Sequence, residues 1–156
     1  MKVDADYFKF ISKGEGNRPT VYKDGDGVLT IGIGHALTTS ERHSGKMIIN
    51  GVPVKYKDGL TATQIVDLCG QDTRKAEECV NGTVTVTLTQ HQYNALVSFA
   101  FNVGTAAFAS STLLKKLNAG DYSAVPEQLK RWVRDGGRVV QGLVNRRNAE
   151  IELWNS

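Results

Sequence analysis

Between Thr20 and His35 the chain reads TVYKDGDGVLTIGIGH, two strand-like runs on either side of a repeated Asp-Gly pair. This is the strongest short-range hairpin signal, because Asp-Gly supplies the positive φ that a tight turn between antiparallel strands requires. The pattern recurs in IINGVPVKY, where Asn50-Gly51 stands between β-branched residues. Residues 18 to 59 are therefore expected to form a small antiparallel sheet.

The periodicity changes after Leu60. TATQIVDLCGQDTRKAEECV places Ile65, Leu68, Cys69, Ala76 and Val80 at helical spacing behind a capping residue. TQHQYNALVSFAFNVG predicts a helix capped at Thr89 and stopped at Gly104, with Tyr93, Leu96, Val97 and Ala100 on one face. STLLKKLNAGD and YSAVPEQLKRWV read as shorter helices, and GLVNRRNAEIELW closes the chain. At the other end, Tyr7, Phe8, Phe10 and Ile11 suit a short amphipathic helix over 4–13, with Gly14 as its stop. The fold class is α+β in a single domain. A sheet-bearing lobe over about 14–60 joins a helical lobe over about 82–156, which also takes the N-terminal helix. The helix over about 61–81 connects them, and a cleft between such lobes is a usual seat for a ligand.

The 156 residues, 40% apolar and 22% charged, suit an ordinary soluble domain. A net charge of +3 favours anionic surfaces without choosing among them. No basic run is interleaved with aromatics, which argues against nucleic acid. No stretch approaches the roughly 18 apolar residues of a membrane span, so stable membrane insertion is not expected. The first residues lack the apolar core of a signal peptide, so synthesis as a cytosolic protein is expected. Cys69 and Cys79 fall on one helical segment, about 15 Å apart, and are expected to stay reduced, with Cys69 in the core.

Among residues able to carry chemistry, Glu15 follows the first helix, where the negative end of the helix dipole disfavours a second negative charge. That would raise its pKa, as a general acid near neutral pH requires. Gly14 and Gly16 leave room for close approach. Asp24 and Asp26 both sit in the hairpin turn, where aspartate commonly bonds nearby backbone amides, and spacing does not rank them. Thr30 lies in the returning strand. Strand alternation is expected to send Thr30, Gly32 and Gly34 to one face, a polar group beside bare backbone suited to a sugar ring and a water.

Taken together, the pattern E-x8-D-x5-T followed by TIGIGH closely resembles the catalytic region of the phage lysozymes of the T4 and P22 type. LTQHQYNALVSFAFNVG, STLLKKLNAGDY and RWVRDGGRVVQGLVNRRNAE extend the resemblance over nearly the whole chain. It implies a lysozyme-like fold and cleavage of β-1,4 bonds between N-acetylmuramic acid and N-acetylglucosamine in peptidoglycan. It also implies Glu15 as proton donor, Asp24 as second carboxylate and Thr30 as holder of the attacking water. Asn102 resembles a polar cleft residue on the helical lobe. Arg146 resembles the arginine that approaches the catalytic glutamate, with Arg147 the alternative if the register slips by one. The partner implied is the glycan strand, met by a monomer that a separate holin-like protein releases from the host cytoplasm. A lytic transglycosylase and a non-catalytic wall-binding or phage structural module are the competing readings.

Other motifs fail. A calcium loop begun at Asp24 would put Val28 at a ligand position and His35 where a glutamate belongs. His35, His43 and His91 match no zinc spacing, and IGIGHAL lacks the third position of a dinucleotide fingerprint. No metal or other cofactor is expected. His35 reads as a hydrogen-bonded structural residue, and Trp132 and Trp154 as packing residues of the helical lobe.

Overall fold

The computed structural model describes residues 1–25 and 27–156; Asp26, the alternative to Asp24, lies outside the described residues. The chain divides into two compact units, Phe8–Arg74 on the one hand and Met1–Tyr7 with Lys75–Ser156 on the other.

Helix α1 (Ala5–Glu15) begins at Asp4, whose Oδ1 accepts the Tyr7 amide at 3.2 Å. Gly14 does not end it. The stop is Gly16, which takes φ +81° and donates its N–H to Ser12 O at 3.0 Å. That is the left-handed glycine cap, a conformation that costs glycine nothing. Glu15 is thus the last helical residue rather than one beyond the end.

In Phe8–Arg74 the expected hairpin forms from β1 (Arg18–Lys23) and β2 (Leu29–Gly32), with Tyr22 opposite Thr30 and Lys23 opposite Leu29. The strand does not run on to His35, as alternation suggested. Ile33 and Gly34 make a turn, Gly34 at φ +69°, and β3 (His35–Ala36) folds back on β2. Gly34 therefore leaves the face on which alternation placed it. Residues 18–59 are also not one sheet. Helix α2 (Thr39–Ser44) interrupts them, held by a capping box between Thr38 and Glu41. Beyond it, β4 (Lys46–Ile49) and β5 (Val52–Lys55) pair as a separate hairpin through Asn50 at φ 52° and Gly51 at φ 76°. Both central residues have positive φ, the primed turn that Asn-Gly favours.

Helix α3 (Ala62–Thr83) starts at a reciprocal cap, Gln64 N to Thr61 Oγ1 at 3.1 Å and Thr61 N to Gln64 Oε1 at 2.9 Å. Cys69 is buried and Cys79 half-buried on this unbroken helix, and both are free thiols. Burial pushes the Cys69 thiol up to about 11.

Helix α4 (Gln90–Val103) runs from the Thr89 cap to Gly104, as its sequence predicts. Every residue from Tyr93 to Ala100 is buried, so this helix is enclosed on all sides. It packs on α8 (Gln141–Asn155) and adjoins α5 (Thr105–Ala109). Helices α6 (Thr112–Asn118) and α7 (Ala124–Leu129) pack on each other. Phe99 meets Phe108 and Trp132 edge-on at 6.1 and 5.4 Å, and Trp154 is buried near Tyr122. A short exposed hairpin, β6 (Arg134–Asp135) and β7 (Arg138–Val139), turns through Gly136-Gly137 ahead of α8. Its strands are two residues long, too short for periodicity to show.

Candidate active site

Glu15 is half-buried on the last turn of α1. The nearest measure of its surroundings is Gly34: a Cβ there would lie 2.8 Å from Glu15 Oε2 and 3.1 Å from Glu15 Cβ. The carboxyl thus rests against the bare backbone of the β2–β3 turn, and only glycine leaves it that space. Tyr22 provides a second tie. Its hydroxyl donates to Glu15 O at 3.3 Å, satisfying a carbonyl that the helix end leaves open. Tyr22 is also the cross-strand partner of Thr30, so one residue links the end of α1 to the strand that carries the threonine. The guanidinium of Arg18 lies 4.7 Å from the Tyr22 ring centroid, in cation–π range.

Thr30 is 4% exposed and donates its hydroxyl hydrogen to Val28 O at 2.9 Å. Its oxygen lone pairs are then left to accept from a donor such as water. Asp24 is exposed and closes the hairpin mouth. Its Oδ1 accepts the Val28 amide at 2.9 Å, and its own N–H donates to Val28 O at 2.9 Å. Val28 therefore connects Asp24 to Thr30 through successive backbone groups. Gly32 is buried, and a Cβ there would meet Ile65 and Leu68 of α3 at 3.6 and 3.8 Å. Its side faces apolar packing; the glycine beside the carboxyl is Gly34.

His35 fixes the base of this region. Its Nδ1 lies 2.8 Å from Asp72 Oδ2 and its Nε2 2.9 Å from Glu41 Oε1. Burial pushes the imidazole down, but the two carboxylates outweigh it and raise the pKa to about 9. Glu41, pushed up by burial, is held below its ordinary value by the Thr38 amide and His35. The same glutamate caps α2, and Tyr56 donates to its backbone carbonyl at 2.8 Å. His35 is a structural residue in this network.

In the other unit, Asn102 is exposed at the end of α4, and its Oδ1 accepts from Arg147 Nη2 at 2.6 Å. Arg147 is fully buried, 5.0 Å from the Phe99 ring centroid. Its Nε lies 2.8 Å from Glu150 Oε1, as an ion pair out of line for a hydrogen bond. Glu150, also fully buried, accepts the Ser98 hydroxyl at 2.6 Å. Arg146 runs alongside, donating to Ser98 O at 3.2 Å, with its Nε 3.5 Å from Glu150 Oε2. Burial lowers both arginines, Arg147 to about 10, and raises Glu150.

Sequence reading missed Gly34 as the neighbour of Glu15, Tyr22 as its tie, and the Ser98–Glu150–Arg147 network. The last had a visible signal, since Arg146 and Arg147 stand four and three residues before Glu150 on one helix. Among the described residues no group of three His, Cys, Asp or Glu is arranged to hold a metal ion. No helix among them is long and apolar enough to cross a membrane.

These placements belong to a lysozyme-like protein. The crystal structure of a variant of P22 lysozyme matches with a TM-score of 0.81 at 32% identity, covering 100% of this chain and 99% of that one. The muramidase domain of SpmX from Asticaccaulis excentricus matches with a TM-score of 0.78 at 29% identity, over 99% of this chain and 98% of that one. The family model for phage lysozymes matches residues 12–150, and the chain belongs to the phage lysozyme family. The endolysin of Bacillus phage PZA is 44% identical over 106 residues, 68% of this chain and 41% of that protein. The chain thus spans less than half the length of that relative, although it spans nearly all of P22 lysozyme. The endolysin of Salmonella phage P22 is 31% identical over 156 residues, 100% of this chain and 99% of that protein.

Proposed function

We propose that this chain hydrolyses the β-1,4 bond between N-acetylmuramic acid and N-acetylglucosamine, with Glu15 as the proton donor to the departing glycosidic oxygen. The observation that carries this reading is the half-buried Glu15 carboxyl seated against the bare backbone of Gly34, which fixes an acid in one place while leaving it partly exposed. Glycoside hydrolysis also needs water delivered to the anomeric carbon. Asp24 and Thr30 take that task, the threonine accepting a hydrogen from water through lone pairs that its bond to Val28 leaves available. Water delivery to the opposite face inverts the anomeric centre, whereas a nucleophilic Asp24 would retain it. Gly32, Asn102 and Arg146 are proposed as substrate-binding groups.

Cleavage at muramic acid is supported by the SpmX neighbour, which is described as a muramidase domain. The chain is proposed to act as a monomer, reaching the wall after a separate holin-like protein opens the host membrane.

Product chemistry tests the reading. NMR of the first product should show the inverted anomer, and mass spectrometry should show fragments that have gained water. Anhydromuramic ends would instead establish a transglycosylase, and intact glycan would indicate a non-catalytic module.

A further inference from the structure

Hairpin β4–β5 buries one face and leaves the other bare. Met47 and Ile49 go inward, while Lys46 and Ile48 alternate with them outward, opposite Lys55 and Pro53. The outer face therefore has two rungs of different chemistry. Toward the turn stand Ile48, 53% exposed, and Pro53, with Val52, 58% exposed, at the tip. At the base stand Lys46 and Lys55, directly across from each other, a like-charge pairing that weakens a hairpin. Lys57 joins them: a Cβ on Gly45 would lie 3.4 Å from its Cε and 3.8 Å from its Nζ. With Arg42, residues 42–57 hold four cations and no carboxylate. Among the described residues no acidic side chain pairs with any of the three lysines. Folding alone accounts for neither the opposed lysines nor the bare aliphatic tip.

We propose that this hairpin is a docking surface for an anionic lipid bilayer, its aliphatic tip entering the interface and its lysines meeting the phosphates. The dimensions agree. Two residues of strand separate the lysine rung from the Ile48 rung, about 7 Å at the strand rise. That lies within the roughly 5–10 Å to which a peripheral element buries its apolar face. The tip also suits a drier setting. Ile48 O accepts from Gln71 Nε2 at 2.9 Å, and the Asn50 N–H donates to Gln71 Oε1 at 3.3 Å. Pro53 has no N–H to satisfy. A hydrophilic anionic polymer would engage the lysines and leave the tip in water, so the aliphatic residues favour lipid. Binding of this kind is peripheral and reversible and uses no spanning segment. It concerns a surface within Phe8–Arg74 and does not depend on the reaction proposed for Glu15.

Vesicle sedimentation tests this on the whole chain. Binding to phosphatidylcholine vesicles with about 30% phosphatidylglycerol should exceed binding to pure phosphatidylcholine by at least about tenfold, and should weaken in about 1 M salt. Lys46→Gln with Lys55→Gln should lower the partition by about tenfold or more, since each basic residue contributes roughly fivefold. The same variant should unfold at an equal or higher temperature, because the opposed charges are gone. Ile48→Ser with Val52→Ser should also lower the partition by about tenfold, the apolar contribution of the tip. All four residues are exposed, and circular dichroism checks that each variant is folded.

No binding to anionic vesicles, equal binding to the two kinds of vesicle, or binding unchanged within about twofold in either folded variant overturns the proposal. If the lysine pair alone matters, and governs retention on purified cell wall instead, the face serves an anionic wall polymer and the lipid assignment fails.

Discussion

Gly34 and Glu15 occupy complementary space: the hydrogen on the glycine Cα stands where any other residue would direct a carbon to 2.8 Å from Glu15 Oε2. Gly34 also holds φ +69°, which L side chains rarely adopt. Gly34→Ala therefore strains the turn and displaces the carboxyl at once. A stability loss of about 1–3 kcal/mol is expected by denaturant titration. Cleavage should fall by about a hundredfold, the loss that about 1 Å of misplacement produces at a reacting group. A variant with lowered stability and unchanged cleavage would separate the turn from the site.

Tyr22→Phe removes the hydroxyl that donates to Glu15 O while keeping the ring that faces Arg18. A loss of about 1 kcal/mol of stability and a several-fold fall in turnover, with KM little changed, are expected. Equal turnover would show that the α1 end is held without this bond.

The His35 network makes stability depend on pH in a defined direction. The folded-state pKa of His35, about 9, lies above the ordinary 6.5, so the folded protein holds the proton more tightly than the unfolded chain. The stabilisation, of order about 3 kcal/mol, is complete below pH 6.5 and lost as pH rises through 9. Glu41 is shifted below 4.5, so its contribution holds above that value and fades under acid conditions. Unfolding free energy should be greatest between about pH 4.5 and 6.5 where these groups dominate. His35→Asn should flatten the alkaline decline, and an unchanged decline would contradict the assignment.

Arg147→Met leaves Glu150 buried without its closest cation and should cost about 3–5 kcal/mol. Adding Glu150→Leu should restore most of that stability, because the uncompensated charge is gone. Thermal unfolding of the single and double variants checks both.

The parts legible in the sequence are those that short-range chemistry decides. Asp-Gly and Asn-Gly marked both hairpins, Thr89 and Gly104 the bounds of α4, and apolar spacing the course of α3. Where two local signals competed, tertiary context chose. Gly14 and Gly16 both suit a helix stop, and the chain uses the second, which places Glu15 on the helix. TIGIGH alternates like a strand, yet Ile33-Gly34 turns, because His35 pairs back with Ile31 and meets Asp72 and Glu41. Contacts such as Tyr22 to Glu15 depend on the hairpin register, and the arginine that orients Asn102 lies 45 residues further on. No local pattern encodes them.

The most direct test of the chemistry is Glu15→Gln, which keeps the size of the side chain against Gly34 and removes its acid. With folding verified by thermal unfolding, reducing-end release from purified peptidoglycan should fall by at least about a thousandfold, within the contribution of a positioned general acid. A folded Glu15→Gln protein that cleaves at the wild-type rate would contradict the role of Glu15.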